Sequence, residues 1–267
     1  MASSFSLKPV SEMAKISASS GNPALRSRDI FGVPVLAATI AEALAYLDDR
    51  LQDGAPACVG FLNANTSNVA ADQPRLAALL RDWVIFCDGI GADIASRVLH
   101  GVPFPENLNG TDFVPHFLRN TRHILRVFTL GGRPDVLQRA LDEFRRQAPQ
   151  HQYVGSQHGY YRPDEAALVI NAIKRADANV ILVALGTPLQ EYWLADHFAA
   201  TGCRLGFAVG GLLDFVSGEK PRAPLWLRGM RLEWTYRLIL EPQRMWRRYI
   251  LGNAIFLWRV ARAAVTR

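Results

Sequence analysis

The residues of this chain able to do chemistry stand at five junctions where an apolar run gives way to polar residues or glycine. Asp88 follows Trp83-Val-Ile-Phe-Cys87 and precedes Gly89-Ile-Gly91. An aspartate so placed is partly withdrawn from water, which raises its pKa and suits it to serve as a general base. Its plainer role is to cap a helix starting near Ala92. Asn63 and Asn65 end a second run, Gly131-Gly132 a third, Gly186-Thr-Pro188 a fourth and Gly210-Gly211 a fifth. One glycine after a strand is an ordinary tight turn. Five such ends together outline a crevice of backbone N–H groups and helix N-termini that suits a diphosphate. Gln190 and Glu191 open a helix, where its dipole alone favours an acid. Asp112, after Gly110-Thr111, reads first as an N-terminal helix residue, and His158 as structural.

The cations that such a diphosphate needs are concentrated near the C-terminus. From Glu219 onward eleven Lys or Arg stand against three Glu. That segment carries +8 while the whole chain carries +6, which leaves the first 218 residues at −2. Local charge of this kind points to phosphates, nucleic acid or a membrane surface. Arg222, Arg237, Arg244, Arg247 and Arg248 are candidates for bidentate phosphate contacts. Arg259, Arg262 and Arg267 read as a solvated helix face or a membrane patch with no catalytic part. Met245, Tyr249, Phe256 and Val260 fall near helical spacing, with Trp246 and Trp258 free for an interface; a basic amphipathic helix of that kind suits anionic lipid, the sheet or a dimer contact.

Several chemistries lack their residues. Gly89-Ile-Gly91 has Ile94 where the dinucleotide fingerprint needs a third glycine, and no Gly-Lys-Ser/Thr phosphate loop exists. No Asp-x-Asp stands at a strand end to hold a divalent metal. No Gly-x-Ser-x-Gly or His-Glu-x-x-His supports a hydrolase.

Parallel strands must position these junctions. Residues 57–63, 83–88, 124–130, 179–185 and 204–209 read as buried strands, and 30–37 as a strand pair or strand plus turn. Helical patterns cover 39–51 (capped by Thr39), 92–99, 113–120, 134–147, 165–176 and 190–200. Alternating strands and helices predict an α/β fold with a mostly parallel, doubly wound sheet, whose ligand sits beyond the carboxyl ends of the strands. At 267 residues and 49% hydrophobic, the chain supports one core. Residues 30–218 read as the α/β domain, 219–267 as a basic helical appendage and 1–29 as a largely disordered leader. Cys58, Cys87 and Cys203 fit buried free thiols of a reducing compartment. No run reaches the roughly 18 apolar residues of a membrane span, which predicts a soluble or peripheral protein.

Taken together, these segments resemble the WecG/TagA/CpsF family, glycosyltransferase family 26. The resemblance rests on Asn63-Ala-Asn-Thr-Ser-Asn68, Cys87-Asp-Gly-Ile-Gly91, Gly110-Thr-Asp112, Leu130-Gly-Gly132, Gly186-Thr-Pro-Leu-Gln-Glu191, Val209-Gly-Gly211, Arg222-Ala-Pro, Leu232-Glu-Trp, Glu241-Pro-Gln-Arg244 and Arg247-Arg-Tyr249. It covers residues 30–250.

The resemblance implies a Rossmann-like fold of the GT-E type and inverting transfer from a UDP-sugar to a polyprenyl-diphosphate-linked sugar. It implies no cofactor, no essential metal, and peripheral attachment at the cytoplasmic face of the inner membrane. The family's proposed base falls on Asp88, with Cys87 in place of the usual alanine. Asn63 replaces a threonine, Asn65 is kept, and Pro105-Glu-Asn-Leu-Asn109 stands where many members carry an arginine. Asn107-Leu-Asn-Gly-Thr-Asp112 resembles the branch of the xanthan and acetan glucosyltransferases. On this reading Asp88, Gln190 and Arg237 are catalytic. Substrate binding falls to Asn63, Asn65, Gly89, Thr111, Asp112, Gly132, Gly186, Glu191, Gly211, Arg222, Glu233, Arg244, Arg247 and Arg248. Transfer of N-acetylmannosamine or its uronic acid is the rival within the family. A non-catalytic nucleotide-binding subunit is the rival outside it, and nucleic acid leaves the crevice unexplained. A homo-oligomer stays open.

Overall fold

The structure is a computed structural model that describes residues 25–230 and 232–266. The expected leader as far as residue 24, and Arg267, lie outside the described residues. One sheet holds β1 (Ser27–Ile30), β2 (Val33–Leu36), β3 (Ala57–Leu62), β4 (Val84–Cys87), β5 (Arg126–Gly131), β6 (Gln152–Gln157), β7 (Val180–Ala184) and β8 (Leu205–Ala208). Their order is β1-β2-β4-β3-β8-β7-β5-β6. Only the β1–β2 hairpin is antiparallel. β1 starts at Ser27, so the last residues assigned to the leader pair within the sheet.

The helices are α1 (Ile40–Asp53), α2 (Ala64–Asp72), α3 (Pro74–Arg81), α4 (Gly89–His100), α5 (Gly110–Asn120), α6 (Pro134–Gln147), α7 (Ala166–Arg175), α8 (Leu189–Thr201) and α9 (Leu212–Val216). The appendage adds α10 (Leu225–Gly229), α11 (Glu233–Leu240), α12 (Pro242–Trp246), a π-helical turn at Arg247–Leu251 and α13 (Gly252–Val265). Thr39 caps α1 in a reciprocal box with Glu42, worth about 1 kcal/mol.

Strand side chains alternate between two cores because the strand period is two. Val59, Phe86, Leu182 and Phe207 face one layer with Leu47, Phe113 and Phe144. Cys58, Ile85, Cys87, Ile181 and Val183 face the other with Leu80, Leu194 and Phe198. Both faces are covered, which explains why the strands read as unbroken apolar runs. All three cysteines are buried and none is in a disulfide.

β3 and β8 lie side by side where the two halves of the sheet meet. The helix after β3 contributes Ala70 to one core, and the helix after β8 contributes Leu212 and Leu213 to the other. Helices leaving neighbouring strands toward opposite faces open a crevice at their carboxyl ends.

Three features depart from the sequence reading. β6 is an extra edge strand; Gln152–Gln157 is polar and carries Gly155, so no apolar run announces it. α2 and α3 fill residues 64–81, where the Asn, Thr and Ser of α2 give little amphipathic signal. Arg259 does not belong to a solvated face. Its guanidinium donates to the Asn68 carbonyl and side chain, both at 3.0 Å, and pairs with Asp72 at 2.6 Å.

Arg259 is part of how the appendage docks. Phe256 and Val260 of α13 are buried in the second core, and Phe256 meets Phe31 edge-on at 5.8 Å. Among the described residues, no helix is long and apolar enough to cross a membrane. Phe256 is 1% exposed and Trp258 is 59% exposed. Phe256→Ala is therefore expected to cost about 3–5 kcal/mol in urea unfolding, and Trp258→Ala less than about 0.5 kcal/mol. Equal losses would contradict this docking.

Candidate active site

Asp88 ends β4, and its own N–H donates to the Leu62 carbonyl of neighbouring β3 at 3.0 Å. It occupies the N-cap position of α4, yet its side chain makes no cap hydrogen bond. The capping role is taken by others. Asn107 Oδ1 accepts from the Gly89 N–H at 2.6 Å, and Gly89 has the positive φ of 82° that turns strand sharply into helix. The Asp88 carboxylate is left free to face a cavity, held by one donor: Asn63 Nδ2 to Oδ2 at 2.8 Å.

Asn63 can hold that orientation because its other end is fixed. Its Oδ1 caps α2, accepting from the Thr66 N–H at 2.9 Å and the Thr66 hydroxyl at 3.2 Å. The amide nitrogen must therefore point at Asp88. Burial raises the Asp88 pKa above that of an ordinary aspartate; the Asn63 hydrogen bond, Arg248 and Arg237 pull it down, while Glu233 pushes it up.

The cavity measures about 590 Å³ and lies between the ends of β3 and β4 and the appendage. Asn63, Asn65, Asp88, Gly89, Thr111, Asp112, Glu233, Arg237 and Arg248 all line it. The α/β layer thus supplies the carboxylate, and the appendage supplies the cations. Arg248 stands in the π-helical turn; such a turn widens the helix and is common at functional sites. Its Nε is buried with no hydrogen-bond partner, and burial pulls its pKa down. Arg237 lies over the Phe215 ring at 5.2 Å. Arg237 and Arg248 repel one another; two cations converging on one cavity favour an anion between them.

Arg222 is engaged differently. It pairs with Asp112 at 2.9 Å and Glu233 at 2.9 Å, and its guanidinium also covers Phe215 at 5.3 Å. Lys220 pairs with Asp214 at 3.3 Å and Glu241 at 2.9 Å. These two cations strap α11 and its C-terminal end to the α/β layer. Arg244 pairs with Glu241 at 3.2 Å, and Arg247 is exposed beside Trp246. Neither of these two lines the cavity.

Gly132, Gly186, Gln190, Glu191 and Gly211 form a second group, at the ends of β5, β7 and β8. Gly131 approaches the Ala184 backbone so closely that a Cβ would lie 2.3 Å from its carbonyl oxygen, so only glycine fits. The Gly159 N–H donates to the Gly132 carbonyl at 3.0 Å, closing a glycine-walled turn. Gln190 is buried; its Oε1 accepts from the Gly210 N–H at 2.8 Å and its Nε2 donates to Glu191 Oε1 at 3.0 Å. Glu191 is buried, accepts from the Thr187 hydroxyl at 2.9 Å, and has its pKa raised chiefly by burial. Gln190 and Glu191 thus shape the turns of this second group rather than facing Asp88. Gly211 lies toward the first group: a Cβ added there would stand 3.9 Å from Arg237 Nη2.

Sequence reasoning missed Asn107, Asn109 and the aliphatic wall. Asn109 caps α5, its Oδ1 accepting from the Asp112 N–H at 3.0 Å, and an Asn three residues before Asp was the available signal. Ile94, Trp234, Ile250 and Leu257 line the cavity through tertiary packing that no local spacing announces.

Fold and site define a doubly wound α/β protein with a strand-end carboxylate under a cationic helical cover, beside a glycine-walled crevice. A profile of the glycosyl transferase WecG/TagA/CpsF family matches residues 28–267. The chain belongs to that family and is a glycosyltransferase.

Were Asp88 the base, as the resemblance implies, it would have to be ionised to act, and activity would fall as pH drops through its raised pKa. The acidic limb of kcat/KM is expected above the 3.8 of an unperturbed aspartate. The Asn63 hydrogen bond favours the charged form. Asn63→Ala is therefore expected to move the limb to higher pH; a limb that stays in place contradicts this role for Asn63.

Proposed function

We propose that this protein is an inverting, metal-independent transferase that moves a hexose, glucose on the branch resemblance, from a UDP-sugar to a polyprenyl-diphosphate-linked sugar in exopolysaccharide synthesis. The observation that carries the reading is the pairing of a desolvated, singly held carboxylate with two converging arginines in one cavity. Asp88 takes the proton of the acceptor hydroxyl as its oxygen attacks the anomeric carbon from the face opposite the departing nucleotide. The bond to the β-phosphate oxygen breaks, and UDP leaves carrying the electron pair. Arg237 stabilises the charge that grows there, assisted by backbone N–H groups. The glycine-walled crevice at β5, β7 and β8 holds the nucleoside diphosphate, with Gln190 fixing the Gly210 turn.

The acceptor is embedded in a bilayer, and the appendage is built to meet one. Trp226, Ile239, Trp246, Ile250 and Trp258 are exposed on it with Arg247. Exposed aromatics and aliphatics among arginines suit an anionic leaflet, which supports peripheral attachment at the cytoplasmic face of the inner membrane.

The experiment is transfer from a panel of labelled UDP-sugars to glucosyl-diphosphate-polyprenol in anionic liposomes, comparing wild type with Asp88→Asn. A general base is worth at least about 100-fold in rate, so the variant is expected to fall by that much, with UDP-glucose the preferred donor. Preference for UDP-N-acetylmannosamine would keep the mechanism and replace the sugar. Undiminished transfer by the variant would end the assignment of the base. UDP binding without transfer from any donor would favour a non-catalytic subunit.

A further inference from the structure

The cavity beside Asp88 has a wall that sugar chemistry does not require. Ile90 and Ile94, one turn apart on α4, face it from one side; Ile250, Ala254 and Leu257, on the π-helical turn and α13, face it from the other. Residues four apart on a helix form one stripe, so two apolar stripes confront each other across the cavity. They do not close on one another. The helices meet where Gly91 approaches Phe256, a Cβ there lying 3.5 Å from the Phe256 ring, and the cavity begins beside that contact.

Sugars and phosphates bind through polar partners, and an aliphatic wall adds nothing to either. It is matched by an occupant with a polar head and an apolar body. The head's partners line the same cavity: Asp88 for a hydroxyl and Arg248 for phosphate. At the outer end Ile250 is 56% exposed and Leu257 is 46% exposed. Beyond them Leu251 and Trp258 continue the apolar surface.

We propose that the aliphatic wall formed by Ile90, Ile94, Ile250 and Leu257 is a subsite for the first isoprene units of the lipid acceptor. This rests on the acceptor chemistry proposed above. The chain is gripped by protein before it reaches the bilayer. Its apolar start is seated between α4 and α13, its diphosphate lies at Arg248, and its sugar hydroxyl reaches Asp88. The subsite fixes how deep the head group enters, and so which hydroxyl meets the base. The appendage then acts as one side of the acceptor site as well as a surface for the membrane.

The test is calorimetric titration of the full chain, without detergent, with inorganic diphosphate and with dimethylallyl, geranyl and farnesyl diphosphate below their micellar concentrations. Each methylene seated in an apolar site is worth about fourfold in affinity. At least a tenfold gain is expected on adding the first isoprene unit to diphosphate, with further gains until the wall is filled. Ile94→Asn is expected to abolish most of that gain and to leave inorganic diphosphate binding unchanged. Leu257→Gln, at a partly exposed position that tolerates a polar side chain, gives the same result should Ile94→Asn not fold. Equal affinities along the series would overturn the subsite, as would a gain that survives in both variants. No donor enters this titration. A flat series alongside successful sugar transfer therefore removes the subsite alone, whereas absent transfer alongside a rising series removes the reaction and leaves a prenyl diphosphate site.

Discussion

A carboxylate withdrawn from water at the end of a central strand is the constraint on which the rest of this site depends. Left alone, Asp88 would take up a proton or swing round to cap the helix that follows it. Both escapes are blocked by neighbours. Asn107 has already taken the Gly89 N–H, and Asn63, tied at its other end to Thr66, fixes one carboxylate oxygen. The remaining oxygen faces the cavity, where Arg248 and Arg237 favour its charge and burial opposes it. Ionisation of Asp88 is thus linked to the presence of the appendage that brings the arginines.

That linkage explains why so much of the appendage's positive charge is spent on holding it in place. Lys220, Arg222 and Arg259 are all matched to carboxylates of the α/β layer or of the appendage itself. Such partly solvated pairs contribute modestly each; their use is positional, since three separate straps set where α11 and α13 lie. The burial of Phe256 supplies the larger share of the docking energy. With the cover so fixed, Arg237 and Arg248 remain for a ligand, and the apolar stripes of α4 and α13 remain for whatever that ligand is attached to.

The sheet was legible because both of its faces are covered, which writes each interior strand as an apolar run closed by a polar residue or glycine. Edge strand β6 escaped detection because one side of it meets solvent and its residues are mixed. Asp88 was legible from its place at such a junction, and the family resemblance pointed to the same residue. The partition of the arginines was not. Arg222, Arg237 and Arg248 share a type and a neighbourhood in sequence, and only tertiary placement distinguishes a strap from a ligand-facing cation. Gln190 shows the same limit: its side chain holds the Gly210 turn, a contact that no local pattern announces.

Asp88 of the α/β layer and Arg248 of the appendage are proposed to act as one unit on one substrate. A double-mutant cycle on the rate of sugar transfer, using Asp88→Asn, Arg248→Gln and the pair, tests it directly. Groups sharing a site couple by about 0.5–3 kcal/mol. The double variant should therefore be little slower than the slower single one. Strict additivity, within about 0.5 kcal/mol, would mean that the base and the arginine act independently and would contradict the account.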